Sequence, residues 1–465
     1  MNQVARRAAA AVLCAGAAFA GLVWFLNVRG EAPLGDPAGA SPGAAAAVPA
    51  PPASAPGSVA RGAYLARVGN CQGCHTVAGG VPYAGGRAVP TPFGDVHAPN
   101  LTPDTATGLG AWSPAEFWRA MHHGRSRGGR LLYPAFPYPN YTRMTRGDSD
   151  ALFAFLRSLP AVAQPNRPHA LRFPFDQQAA LAVWRALYFR AAEAPPVHAA
   201  AHDAAHSAPR SAAWQRGAYL VEGLGHCNAC HASRNALGAT PGPLDLAGGL
   251  MPVQNWYAPS LASAREAGVA DWAADDIVAL LRDGTVARRG QLVSVAGPMA
   301  EVVIGSTRHW AESDLRAAAA YLQALPPSAT AASRPPTAAA PIGSAPAAPG
   351  VVPDPAAPGP GSLLYERHCA GCHGEHGEGA PGIYPALAGN RAVLLPTPAN
   401  LVHVVLEGGF APATAGHPRP FGMPPFATVL SDAEVAQVLS HLRGAWGNGA
   451  AAVTAVEVSR LRNAR

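Results

Sequence analysis

A mainly α-helical chain, built as three tandem modules behind an N-terminal apolar helix, is the architecture the sequence predicts. Three observations carry it. The word Arg61-Gly62-Ala63-Tyr64-Leu65 returns unchanged as Arg216-Gly217-Ala218-Tyr219-Leu220, and identical words at matching offsets before a shared motif indicate a duplicated unit. That motif, Cys-x-x-Cys-His, occurs three times: CQGCH at 71–75, CNACH at 227–231 and CAGCH at 369–373. Each copy is followed by a segment with an acidic or Ser/Asp start and helical apolar spacing: DSDALFAFLRSLP (148–160), ESDLRAAAAYLQALP (312–326) and SDAEVAQVLSHLRG (431–444).

The chain opens with Arg6 and Arg7 before an apolar stretch from Ala8 to Leu26. About 20 apolar residues can cross a bilayer as one helix, and the apolar core of a cleaved signal is usually shorter. Residues 1–30 therefore read as an uncleaved anchor; Ala18-Phe19-Ala20 is the alternative, a cleavage site. The arginine pair places the N-terminus in the cytoplasm and the remainder on the periplasmic side of the inner membrane. Residues 31–58 form a Pro/Ala linker without the large apolar residues that a core requires. The first module takes 59–160. In the interdomain segment 161–210, Asp176–Arg190 reads as an amphipathic helix whose apolar face meets a domain, a partner or a membrane. The second module takes 211–326, a second Pro/Ala linker 327–360, the third module 361–447 and a C-terminal tail 448–465. The third module opens more loosely, with Leu364-Tyr365-Glu366-Arg367-His368 before Cys369.

Composition narrows the function classes. Gly (50) and Pro (48) are abundant in the 465 residues and only 13% of residues are charged, which suits loop-rich modules on linkers rather than one large α/β enzyme. Lysine is absent, and the net charge of +6 is spread without a basic cluster; a nucleic-acid footprint needs such a cluster. No phosphate loop or nucleophile–base arrangement is evident. Of seven cysteines, six lie in the motifs and Cys14 lies in the apolar segment.

Cys-x-x-Cys-His is the attachment word for a covalent c-type haem. On a helix, positions i, i+3 and i+4 share a face. The pairs Cys71/Cys74, Cys227/Cys230 and Cys369/Cys372 can thus each hold one haem by thioethers while His75, His231 or His373 reaches its iron. Zinc would need four N/S ligands from pairs close together, and these pairs are far apart in sequence. An electron-transfer haem usually takes a second axial ligand, and methionine raises its potential. Met423, in Gly422-Met423-Pro424-Pro425, and Met299, after Gly297-Pro298, stand before the closing helices. The first module has Phe136 at the equivalent place, and Met144 eight residues later. There the sixth ligand stays open between Met144, His122 or His123, and an unliganded position.

The chain resembles the trihaem cytochrome c subunits of membrane-bound alcohol, gluconate and aldehyde dehydrogenases, and similar cytochromes paired with molybdenum hydroxylases. The resemblance spans roughly 60–447. It rests on the three motifs, on Pro99-Asn100-Leu101-Thr102-Pro103-Asp104, on Thr107-Gly108-Leu109-Gly110 before Trp112-Ser113, on Leu132–Tyr141 and on Met299-Ala300-Glu301-Val302-Val303. It implies three class I cytochrome c domains with three haems c. It also implies an electron-transfer role: a separate catalytic subunit, of pyrroloquinoline-quinone, flavin or molybdopterin type, oxidises the substrate, and the cytochrome passes electrons to quinone or a terminal oxidase. A departure is Phe136, where relatives carry Met. Rival readings are a haem enzyme of peroxidase or thiosulfate-oxidising type with an open first iron, and a haem–copper oxidase subunit.

Overall fold

A computed structural model describes residues 3–31, 56–192, 211–242, 245–326 and 358–464. Most of the two Pro/Ala linkers and residues 193–210 lie outside the described residues. The chain forms two compact units, the first running to residue 209 and including 222–226 and 235–239, the second holding the remainder.

The first unit begins with α1 (Gln3–Val28), whose 20 residues Ala9–Val28 are apolar and unburied. At 1.5 Å per residue that span matches a hydrocarbon core about 30 Å thick. Then follow α2 (Pro56–Val68), the one-turn α3 (Cys71–Cys74), strands β1 (Ala88–Thr91) and β2 (Gly94–His97), α4 (Pro114–His123), α5 (Tyr138–Tyr141), α6 (Arg146–Arg157), β3 (Ala170–Leu171) and α7 (Gln178–Tyr188). The strands form an antiparallel sheet in the order β1-β2-β3, with Val89 opposite Val96 and Asp95 opposite Ala170.

Residues 161–192 thus pack as part of the first module's body. Besides β3, the Asn100 side chain donates to the Val162 carbonyl (2.7 Å) and Asn166 donates to Thr107 O (2.7 Å). The amphipathic helix forms as α7. Its side against the unit holds Leu181, Arg185 and Ala186.

The second unit holds α8 (Ala212–Ala218), which runs on as a π-helical stretch Tyr219–Leu224 whose residues 222–224 belong to the first unit, then α9 (Asn228–His231), β4 (Gly249–Leu250) and β5 (Tyr257–Ala258). After them come α10 (Ala274–Asp283), the hairpin β6 (Thr285–Arg288) and β7 (Gln291–Ser294), α11 (Pro298–Gly305) and α12 (Glu312–Gln323). Its last portion holds α13 (Pro360–His368), α14 (Ala370–His373), α15 (Ala399–Glu407), β8 (Gly409–Phe410), β9 (Gly422–Met423), α16 (Asp432–Gly444) and α17 (Ala455–Asn463).

One crossing is built three times. The opening helices α2, α8 and α13 cross the closing helices α6, α12 and α16 where a glycine removes the side chain between two backbones. A Cβ on Gly62 would lie 2.6 Å from Ala151 C and 2.7 Å from Phe155 Cβ. On Gly217 it would lie 2.7 Å from Ala317 C and 2.7 Å from Tyr321 Cβ, and on Gly361 2.9 Å from Gln437 C and 3.0 Å from His441 Cβ. The arginine before the first two glycines is fixed alike: Arg61 pairs with Asp148 (2.6 Å) and Arg216 with Asp314 (2.7 Å). Residues 448–465, read from the sequence as a tail, carry α17, which packs on α16. Thr454 and Glu457 form its capping box, Val458 is fully buried, and Arg462 pairs with Asp432 at 2.6 Å.

Candidate haem-attachment sites

Each motif lies on a single helical turn. Cys71 and Cys74 bound α3, with His75 at its C-cap; Cys227 caps α9, which carries Cys230 and His231; Cys369 caps α14, which carries Cys372 and His373. The helical spacing expected for thioether attachment is therefore present in all three. Desolvation pushes the Cys71 and Cys227 thiols up to about 12 and Cys369 to about 11. They are neutral thiols at physiological pH, unlike reactive cysteines, whose pKa is lowered. Among the described residues no group of three His, Cys, Asp or Glu converges to hold a bare metal ion.

The imidazoles show a cradle that repeats in detail. His75 Nδ1 is hydrogen-bonded to Pro99 O at 2.8 Å, His231 Nδ1 to Pro259 O at 2.7 Å and His373 Nδ1 to Pro385 O at 2.9 Å. A carbonyl can only accept, so Nδ1 carries the hydrogen and Nε2 keeps its lone pair for a metal. Burial lowers all three imidazole pKa values, with the proline carbonyl acting against it. Each His carbonyl also accepts from a glycine N–H, of Gly85 (2.8 Å), Gly248 (2.9 Å) or Gly379 (2.8 Å). These glycines have φ of 79, 80 and 71°, and a Cβ on any of them would collide with the backbone of the proline-bearing segment. Two residues past each proline, the N–H of Leu101, Leu261 or Leu387 returns to the carbonyl of Tyr83, Leu246 or Gly377. The residues present fit a haem held by two thioethers and one Nε2.

The candidate sixth ligands sit differently. Met144 is 1% exposed, and its N–H donates to Tyr141 O at 2.9 Å. Burial holds the Tyr141 hydroxyl well above its usual value, and the Cys71 and Cys74 thiols add to the shift. Met299 lies in the first turn of α11 rather than in a loop, because Pro298 supplies a helix-ready N1 residue. Met423 lies in β9, where it pairs with Gly409 and packs on the core of the third module. Trp256, against Gly297, stacks on His403 of α15 at 4.9 Å, and Asn400 clamps the Tyr257 backbone at 2.8 and 2.7 Å.

His122 and His123 sit together at the end of α4. His122 stacks on Trp118 at 4.4 Å and meets His123 edge-on at 4.6 Å. Burial lowers His122 to about 4; burial, His122 and then Arg185, Arg125 and Arg119 lower His123 to about 3. A histidine held below its unfolded value of about 6.5 is neutral in the fold, so its stabilisation is complete above that pH and lost on acidification. The first unit should therefore lose stability as pH falls from about 6.5 to about 3. Replacing both residues, as His122→Phe with His123→Leu, should flatten the loss in denaturant titrations. An unaltered pH slope in the double variant would contradict it.

The sequence comparisons agree with this geometry. The family model described as cytochrome c matches residues 59–160 and 359–446. The cytochrome c subunit of a quinone alcohol dehydrogenase from Gluconacetobacter polyoxogenes is 36% identical over 413 residues, 87% of this chain and 84% of that protein. The gluconate 2-dehydrogenase cytochrome c subunit of Pantoea cypripedii is 37% identical over 413 residues, 87% of this chain and 89% of that protein. The chain belongs to the cytochrome c subunits of dehydrogenases. A nicotinate dehydrogenase subunit from Pseudomonas putida is 39% identical over 431 residues, 90% of this cytochrome c subunit but only 33% of that longer protein. A cytochrome c subunit of this family binds haem c covalently, as the motifs require.

The proline carbonyls were missed in the sequence. Their signal is the word Pro-x-Leu downstream of each motif: Pro99-Asn100-Leu101, Pro259-Ser260-Leu261 and Pro385-Ala386-Leu387.

Proposed function

We propose that this cytochrome c subunit carries three covalent haems c and relays electrons from the catalytic subunit of a partner dehydrogenase to quinone or a terminal oxidase. The observation that carries this reading is the cradle of His75, His231 and His373, repeated at Pro99, Pro259 and Pro385 with hydrogen bonds of 2.8, 2.7 and 2.9 Å. A bound haem supplies one-electron chemistry. The chain's own part is to fix each imidazole by its Nδ1–H, hold the porphyrin by two cysteines and close the far side. Met144, Met299 and Met423 are the residues proposed to close it. The relatives are subunits of alcohol, gluconate and nicotinate dehydrogenases, which supports a partner whose cofactor is pyrroloquinoline quinone, a flavin or a molybdopterin. The apolar α1 supports anchoring in the inner membrane with the modules on the periplasmic side.

Pyridine haemochrome assay with intact mass should return three haems per chain, and two or fewer in matured protein would refute the count. The purified subunit alone should oxidise no alcohol, aldehyde or sugar acid. Mixed with its partner, it should be reduced when substrate is added. Turnover by the subunit alone would overturn the relay reading.

A further inference from the structure

We infer that the outward face of α7 is a second membrane contact, seated in the headgroup–acyl boundary beside the end of α1. The inference rests on α1 being a membrane anchor. Three observations lead to it.

First, α7 has its polarity reversed. The helix of a water-facing surface turns charges outward. Here the one charged residue of α7, Arg185, faces inward at 2% exposure. Its guanidinium lies 5.1 Å from the Tyr138 ring and 4.7 Å from the Phe189 ring, and donates to Asn27 Oδ1 at 2.9 Å. Ala179, Leu187 and Tyr188 are exposed, with Ala180, Val183 and Trp184 half-buried beside them; the Trp184 indole donates to Leu237 O at 2.9 Å. Leu187 is 60% exposed and Tyr188 40%.

Second, α7 is fastened to the end of the apolar span. The Asn27 side chain donates to the Ala182 carbonyl of α7 at 2.9 Å, and Asn27 lies within the apolar span Ala9–Val28. The Glu31 carboxylate, just past α1, pairs with Arg125 at 2.8 Å, and Arg125 also donates to the Asn27 carbonyl at 3.0 Å. The end of the span is thus fastened to the module that carries α7. When α1 crosses a membrane, α7 is carried to its surface.

Third, the chemistry of the rim suits that surface. Trp184 and Tyr188 are the residue types that settle at the membrane–water interface. Arg190, two residues past α7, is exposed and is held at the helix end by donating to the Ala186 and Phe189 carbonyls at 2.9 and 2.7 Å; a cation there suits anionic lipid headgroups. The apolar face is continuous with the unburied α1, which fixes its occupant as lipid.

The test uses the full-length, haem-loaded chain in vesicles of phosphatidylethanolamine and phosphatidylglycerol. In a Cys14→Ser background, Leu187→Cys is compared with Val429→Cys, each at a side chain more than half exposed. A charged maleimide should label the former at least about tenfold more slowly, because an interfacial side chain is buried among lipid. A fluorophore on Leu187→Cys should also be quenched by brominated acyl chains. Equal labelling rates, or protection that arises only when the partner dehydrogenase subunit is added, would overturn the inference. Native Cys14, probed in the unmodified background, separates the two levels. If Cys14 is protected while Leu187→Cys labels freely, the anchor stands and the α7 contact fails. If Cys14 itself labels, the anchor reading fails and takes this inference with it.

Discussion

Met144→Ala should remove one of three methionine–haem signatures, so the weak red charge-transfer band of the oxidised protein should fall by about a third, given axial ligation by Met at each haem. The first haem should then bind carbon monoxide, and its potential should drop, since the axial ligand is a main control on potential. The geometry behind this is the sealed position of Met144, 1% exposed, on a loop whose N–H is bonded to the Tyr141 carbonyl. Removing a buried Met side chain should also cost about 2–5 kcal/mol of stability, which thermal unfolding reads separately. An unchanged band without carbon monoxide binding would transfer the role to His122 or His123. An unchanged band with carbon monoxide binding in the parent protein would mean an open iron and a catalytic first haem.

The second large effect is expected at a helix crossing. Gly217→Val should destabilise the middle module by about 3 kcal/mol or more, because overpacking a tight contact forces backbones apart. The new Cβ would run into the Ala317 carbonyl and stand 2.7 Å from Tyr321 Cβ. Neither neighbour can swing away: one is helix backbone and the other is the base of a buried side chain. A loss of that size corresponds to a fall in melting temperature of roughly 10–15 °C for a module a little over 100 residues long. Gly242→Ala is the control, since nothing lies within 4 Å of its Cβ position. A Gly217→Val protein that melts with the parent would show that α8 and α12 can separate without cost.

Much of this was readable from residues alone. Three Cys-x-x-Cys-His words, two copies of Arg-Gly-Ala-Tyr-Leu and three closing helices lay within short windows, and local pattern is what a sequence displays most openly. The proline carbonyls were hidden because each closes a loop of different length: Pro385 follows His373 closely, whereas Pro99 and Pro259 stand further from His75 and His231. A backbone acceptor also leaves no side-chain mark. The orientation of α7 was hidden for another reason. An apolar face and a charged residue can be read along a strip of sequence, but which side is inward depends on Asn27 and Tyr138, both remote in the chain. The helix α17 does carry a local signal: Thr454 and Glu457 are a capping box, followed by Val458 and Leu461 at helical spacing. Met299 falls inside a short helix ahead of the closing one because Pro298 begins α11 one residue earlier.

The near identity of the three proximal cradles bears on voltage. Bonds of 2.8, 2.7 and 2.9 Å from proline carbonyls give three imidazoles of nearly equal donor strength. A spacing between midpoints then has to be set on the opposite side of each iron, by dielectric and water access. With the proposed methionines in place, that side is sealed at Met144 and half open at Met299 and Met423. The downhill direction of the current would then be a property of three unlike settings, a bend at Met144, the first turn of α11 at Met299 and β9 at Met423, rather than of the shared cradle. Grafting the loop around Met144 onto the third module would rearrange the battery while leaving its casing untouched.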